Sequence, residues 1–253
     1  MKITYTQYIN NPLGEKNSVI TNRGMYQKLY RDKLDKILLR EGGKVIYNLY
    51  KSKDRYYIHF KIPSEVIEKF YYDTIIEFYT DDSLKEKSVS LKDYYVKFYS
   101  NDPAFVYTFA HAFIKNQLFI EDLESKMTKE SVKTVAKEKN PKNLVGYVKS
   151  LFFAYLLIND YGLFSKSIYD STASPYSKSK LIREVEHAKD KVRERQEAEN
   201  KKRKEERKLR EKNRFGDGND KTTKATFSSN KIAKTKIVSS VKRIGQIKKT
   251  KKI

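Results

Sequence analysis

Cysteine is absent from the 253 residues, which excludes a disulfide framework, a thiolate metal site and a cysteine nucleophile. That absence is compatible with a reducing compartment. Tryptophan is missing too, and there are only nine glycines and five prolines. With a single adjacent glycine pair, Gly42 and Gly43, little backbone can approach a nucleotide closely. No glycine-rich phosphate loop, nucleophile elbow or zinc-ligand spacing occurs. No stretch approaches the ~18 apolar residues of a membrane span, and no apolar run of signal-peptide length follows Met1. The expectation is a soluble chain that is not secreted.

Acid is what the C-terminal part lacks. From Lys221 onward there are 11 Lys and Arg and no Asp or Glu. Residues 178–253 hold 27 basic against 11 acidic side chains, and so +16 of the total charge of +22. Heavy use of Lys, Asn, Ile and Tyr looks like the coding bias of an AT-rich genome, so clustering of the cations is better evidence than their number. A cationic excess at one end suits a chain that grips a polyanion while its folded part does something else.

Aromatics show where the core lies. Of 33 Tyr and Phe residues, 29 precede Ser165, which predicts a globular α+β domain over residues 1–164. Thr21 and Asn22 precede Tyr26, Leu29, Tyr30, Leu34, Ile37 and Leu38, a helical stripe that Gly42 and Gly43 stop. The period then switches to two around Val45–Leu49 and Tyr56–Ile62. It does so again around Phe70–Phe78 and Tyr94–Phe98, beyond the charged loop Asp81–Lys87, predicting a four-stranded, mostly antiparallel sheet. Asp102–Pro103 and Asn140–Pro141 each read as a helix start. The first helix carries Phe105, Val106, Phe109, Ala110 and Phe113, and the second runs through Leu144 to Leu156. A shorter polar helical segment around Ile120–Ala136 links them. Residues 165–177 read as a Ser-rich linker, 178–214 as a long charged helix and 215–253 as a basic, largely disordered tail. Leu181, Val185, Ala188 and Val192 give that helix a short apolar seam. Glu197 with Lys201, Glu199 with Arg203 and Glu206 with Arg210 are i,i+4 pairs in the favourable order.

No catalytic constellation emerges. His59, His111 and His187 lie on separate elements, the carboxylates at Asp81–Asp82 and Glu121–Glu124 fall on charged loop or helix faces, and Asp217–Asp220 is a turn without a calcium loop's further ligands. Neither enzyme activity, a metal site nor a cofactor is expected. Two features suit nucleic acid. One is the basic arm, with Lys201, Lys202, Arg203 and Lys204 in the helix and Lys242, Arg243, Lys248, Lys249, Lys251 and Lys252 in the tail. The other is a sheet face where Arg55, Tyr57, His59 and Lys61 adjoin Tyr95, Lys97 and Tyr99, an alternation that could stack unpaired bases or could pack against the helices.

Ser100, Asn101, Asp102, Pro103, Ala104 and Phe105, then Asn140, Pro141, Gly146, Lys149, Ser150, Leu151, Phe152 and Phe153, resemble stretches of uncharacterised structural and assembly proteins of tailed bacteriophages. The resemblance covers about a quarter of the chain and carries no catalytic motif. It implies a genome-linked or virion-assembly role, in the virion or the host cytoplasm. The partners would be other structural subunits and nucleic acid, DNA ahead of RNA, with homo-oligomerisation left open. The alternative is an accessory protein acting outside a particle, its aromatic sheet face contacting single strands.

Overall fold

The computed structural model describes residues 2–10, 23–81, 90–136 and 138–215. It opens on a helix that no periodic pattern announces: α1 (Tyr5–Asn10) has only six residues, but Tyr5, Tyr8 and Ile9 are all buried. Helix α2 (Arg23–Arg40) follows and buries Leu34 and Ile37, while Leu29 lies at its exposed edge. Its end is set by backbone chemistry. Gly42 and Gly43 take left-handed conformations (φ 78° and 72°), and their N–H groups donate back to Leu39 and Leu38 (3.1 and 2.7 Å), satisfying the carbonyls the helix leaves over.

The sheet is a meander of β1 (Ile46–Ser52), β2 (Arg55–Pro63), β3 (Tyr71–Tyr79) and β4 (Tyr95–Ser100), each antiparallel to the next. A fifth strand, absent from the expected four, is the two-residue β5 (Ser174–Pro175), which pairs parallel with Tyr50 and Lys51 at the β1 edge. The opposite edge, β4, is covered by the chain on both halves. Val96 N–H donates to Ile3 O (3.1 Å), and Phe98 exchanges backbone bonds with Leu118 and Ile120 (2.7 and 3.2 Å).

Period-two alternation puts Ile58, Phe60, Ile76, Phe78, Val96 and Phe98 on one face. Against it lies α5 (Lys149–Asp160), eight of whose 12 residues are buried. Tyr5 of α1 fills the same layer, its ring 5.5 Å from Phe78 and 6.3 Å from Tyr155. Helix α2 stacks outside α5 through Tyr30 against Phe153 (5.7 Å) and a forked Arg31–Asp160 ion pair at 2.9 Å.

Several expected helices take different bounds. Asp102 caps as expected, its Oδ1 accepting Ala104 N–H at 3.0 Å, but the next five residues, Phe105–Phe109, form a π-helical turn before α3 (Ala110–Lys115). The segment around Ile120–Ala136 is a 3-10 turn, Glu121–Lys126, and then α4 (Lys129–Lys133). The helix expected from Asn140–Pro141 begins only at Lys149. The Asn140 amide instead bridges Thr108 O (3.1 Å) and both backbone groups of Leu144 (2.9 Å each), and Asn143 turns at φ 52°. The stretch expected as a linker holds α6 (Lys166–Thr172), with Tyr169 fully buried, as well as β5.

The long C-terminal helix is present, but not as one piece from residue 178. It consists of α7 (Lys178–Glu184) and α8 (Ala188–Phe215), with an elbow at 185–187. Leu181, Val185 and Ala188 of the expected seam are all buried, so the seam joins the core of the folded unit. One compact unit spans Met1–Lys208; of the second, Leu209–Ile253, residues 209–215 are helical. Thr21, Asn22, most of the Asp81–Lys87 loop and the expected tail after Phe215 lie outside the described residues. Among the described residues, no helix is long and apolar enough to cross a membrane.

Candidate nucleic-acid interface

The interface begins with what aims α8. Asp73 lies at the middle of β3 on the face opposite α5, and it is fully buried. Its Oδ1 accepts from His59 Nε2 (2.7 Å) and Lys61 Nζ (2.6 Å), both on β2. Its Oδ2 accepts from Asn101 Nδ2 (2.9 Å) and from the backbone N–H of Glu186 in the elbow (3.1 Å). Asn101 Nδ2 (3.3 Å) and Tyr99 OH (3.5 Å) donate to Glu186 O. One residue of the elbow, Glu186, is therefore held through both its N–H and its carbonyl, more than a hundred residues along the chain from Asp73. Burial alone would raise the Asp73 pKa, but the hydrogen bond and charge of His59, together with Lys61, outweigh it and bring the carboxyl down to about 2.

This packing decides the sheet face. Tyr57, His59 and Tyr99, expected as possible base-stacking residues, are buried beneath the segment that follows α6. Tyr176 lies flat on Tyr57, with ring centroids 4.1 Å apart and planes 9° from parallel, and its hydroxyl donates to Asp122 (2.7 Å). Lys97 reaches Glu121 (2.8 Å), and Tyr50 bonds Glu184 of α7. The reading in which this face stacks single strands is corrected. Tyr57 and Tyr99 face a cover supplied by the chain itself, while Tyr95 on β4 is half-buried beside Tyr79.

Glu77 occupies the same face, two positions beyond Ile75 on β3, and accepts from Arg55 (2.8 Å) and Tyr57 OH (3.3 Å). Burial raises its pKa above the ordinary 4.5, with Arg55 and Lys97 pulling against it. A carboxyl whose folded pKa is raised binds its proton more tightly in the native state. Ionising it therefore costs stability as pH climbs from the unfolded value through the folded one. Glu77→Gln keeps the shape and loses the ionisation. It should change unfolding free energy by less than about 1 kcal/mol at pH 7 and remove this downward component above pH 4.5, as read by urea denaturation from pH 4 to 7.

From the elbow, α8 runs along the unit on a charged stripe. Lys191 is buried with its ammonium 4.4 Å from the Phe70 ring centre and bonded to Glu186 (2.7 Å) and Glu194 (3.3 Å). Lys202 donates to Val66 O (3.3 Å). Long cationic stems thus lie on the domain while the heads find acceptors. Further along, the ion pairs run in the opposite order to the one expected. Glu197 turns back to Arg193 (3.9 Å) and Glu199 back to Arg195 (2.8 Å). Among the described residues, Lys201, Arg203 and Lys204 accordingly have no carboxylate within 4.0 Å, and all three are exposed. An exposed cation cluster without internal counter-charge is what a phosphate backbone can neutralise.

Of the expected interface residues, Lys201, Lys202, Arg203 and Lys204 are brought together on successive positions of α8, while Lys242, Arg243, Lys248, Lys249, Lys251 and Lys252 lie outside the described residues. The histidines stay apart, with His111 3.0 Å from Asn143 Oδ1 and His187 accepting Lys189 N–H (3.2 Å). Asp73, Asn101 and Glu186 escaped the sequence reading. The available signal was Asp73 itself, a carboxylate in mid-strand opposite Lys61 in the β2–β3 register. No family model matches the chain, and neither a curated protein nor a solved structure matches it.

Proposed function

We propose that this chain is a non-enzymatic structural or assembly protein of tailed-phage type, whose folded unit docks to protein neighbours and whose basic arm contacts DNA. The observation that carries the DNA contact is the group at Lys201, Arg203 and Lys204, exposed and without carboxylate partners among the described residues. The 11 cations after Asp220, free of acid in sequence, extend the same chemistry. The phage-type role rests on the sequence resemblance at residues 100–105 and 140–153. The covered sheet counts against recognition of single strands through that face, because the domain's own chain already occupies it at Tyr57 and Asp73.

The test is a fourfold variant, Lys201→Gln, Lys202→Gln, Arg203→Gln and Lys204→Gln, assayed on duplex DNA over a salt series. Every phosphate that the variant no longer neutralises should flatten the plot of log affinity against log salt by about 0.9. A total change of roughly 2 to 4 is expected, with the melting temperature preserved because all four side chains are exposed. An unchanged slope would remove these residues from the interface.

A further inference from the structure

Beside the first turn of α8 is a cleft of about 900 Å³, walled on one side by the 3-10 turn and α4 and on the other by the elbow. Its size is within the ~300–1,000 Å³ common for ligand sites. Resting on the DNA reading above and deepening it, we infer that this cleft receives an unpaired base of a single strand, with the flanking phosphates held at its rim.

Four observations combine. Tyr107 is 43% exposed, although most of the domain's aromatics are packed away, and it lines the cleft. Buried Met127 lines the same space, so a flat apolar solute meets an aromatic face and a soft thioether. The rim carries Lys129, Lys133 and Lys189, all exposed and, among the described residues, with no carboxylate within 4.0 Å. Glu130, close enough to push the Tyr107 pKa upward once burial has done so, offers an acceptor for an exocyclic amino group. A ring to stack on, an acceptor and several free cations make up the chemistry of single-strand contact, in which stacking holds the base and cations hold the backbone.

Position favours a strand over an isolated nucleotide. Lys189 begins α8, and Arg193, Lys204 and Arg207 fall within about 60° of it on an ideal helix, all exposed. A strand leaving the cleft would meet Lys189 at one end of a stripe of about 27 Å and Lys204 and Arg207 towards the other, with Arg193 between them shared by Asp190 and Glu197.

Fluorescence anisotropy on the intact chain tests this, with a DNA single strand of about twelve nucleotides and a duplex of equal length as probes. Tyr107→Ala should weaken single-strand binding about tenfold and leave duplex affinity within twofold, while Tyr107→Phe, which keeps the ring, should stay within twofold on both. Circular dichroism melts of the two variants separate an absent stacking partner from a damaged fold. Equal weakening on both probes, or none on either, overturns the inference. If the intact chain binds neither probe, the DNA reading falls with it. If salt-dependent duplex binding persists while single-strand affinity is indifferent to Tyr107, only the cleft assignment fails.

Discussion

Asp73→Ala is expected to lower the unfolding free energy by about 3–5 kcal/mol, the cost of removing one member of a buried charged network. For a unit of this size that is a fall of roughly 10 °C in melting temperature. The size follows from what remains behind. His59 is buried, the Glu186 N–H loses its acceptor, the Asn101 amide keeps only the longer bond to Glu186 O, and Lys61 keeps only partial access to water. Unpaired buried donors of this kind each cost about 1–3 kcal/mol. The effect should also be local, because Asp73 is the acceptor that ties the elbow to the sheet. Amide exchange at Glu186 should therefore accelerate more than exchange in the β2–β3 ladder. A change below about 1 kcal/mol, well short of the buried-pair cost, with Glu186 exchange untouched, would show that the elbow is held by its apolar residues alone.

Acid should reveal the same carboxylate. Its folded pKa is depressed from the ordinary 3.8 to about 2, so its contribution is complete above the unfolded value and is lost as pH falls through the window between the two. The shift corresponds to about 2 kcal/mol. Glu77, four residues along the same strand, has the opposite sign, since its raised pKa favours the protonated native state. The two windows do not overlap, so Glu77 acts above pH 4.5 and the loss at lower pH belongs to Asp73. Asp73→Asn should flatten the stability curve between pH 2 and 4 relative to the parent.

Local chemistry was legible in the sequence wherever a few neighbouring residues decide it. The alternation of β2 and β3, the glycine stop after α2 and the Asp102 cap each depend on a span of under ten residues. Long-range choices were not legible. Tyr57, His59 and Tyr99 are compatible with an open face or a covered one, and the covering residues reach Tyr99 from 87 positions along the chain and Tyr57 from further still. The seam at Leu181, Val185 and Ala188 is visible as apolar spacing, but nothing local says that it closes on a sheet. Asn140–Pro141 looks like a helix cap until Thr108 and Leu144 claim the amide. Glu197 can pair forward to Lys201 or back to Arg193 at the same spacing. The structure takes the second, which leaves Lys201 without Glu197 as a partner.

The second large effect concerns the segment after α8. Residues 216–253 carry 11 Lys and Arg against Asp217 and Asp220, and about eight phosphate contacts would lower log affinity with log salt at a slope near −7 on duplex DNA. Where the chain is cut decides what the experiment means. Ending it at Ser177 would strip Leu181, Val185 and Ala188 from the core and uncover Asp73, so weaker binding would merely report damage to the fold. Ending it at Phe215 keeps all of that packing in place.

The decisive measurement is duplex DNA affinity from 50 to 200 mM salt for the intact chain and for the chain ending at Phe215. The expected result is a fall of 10³ or more for the intact chain across that range, and a slope shallower by several units for the shortened one, with identical melting temperatures. Affinity indifferent to salt, or equal slopes for the two chains, would contradict a DNA-contacting basic arm.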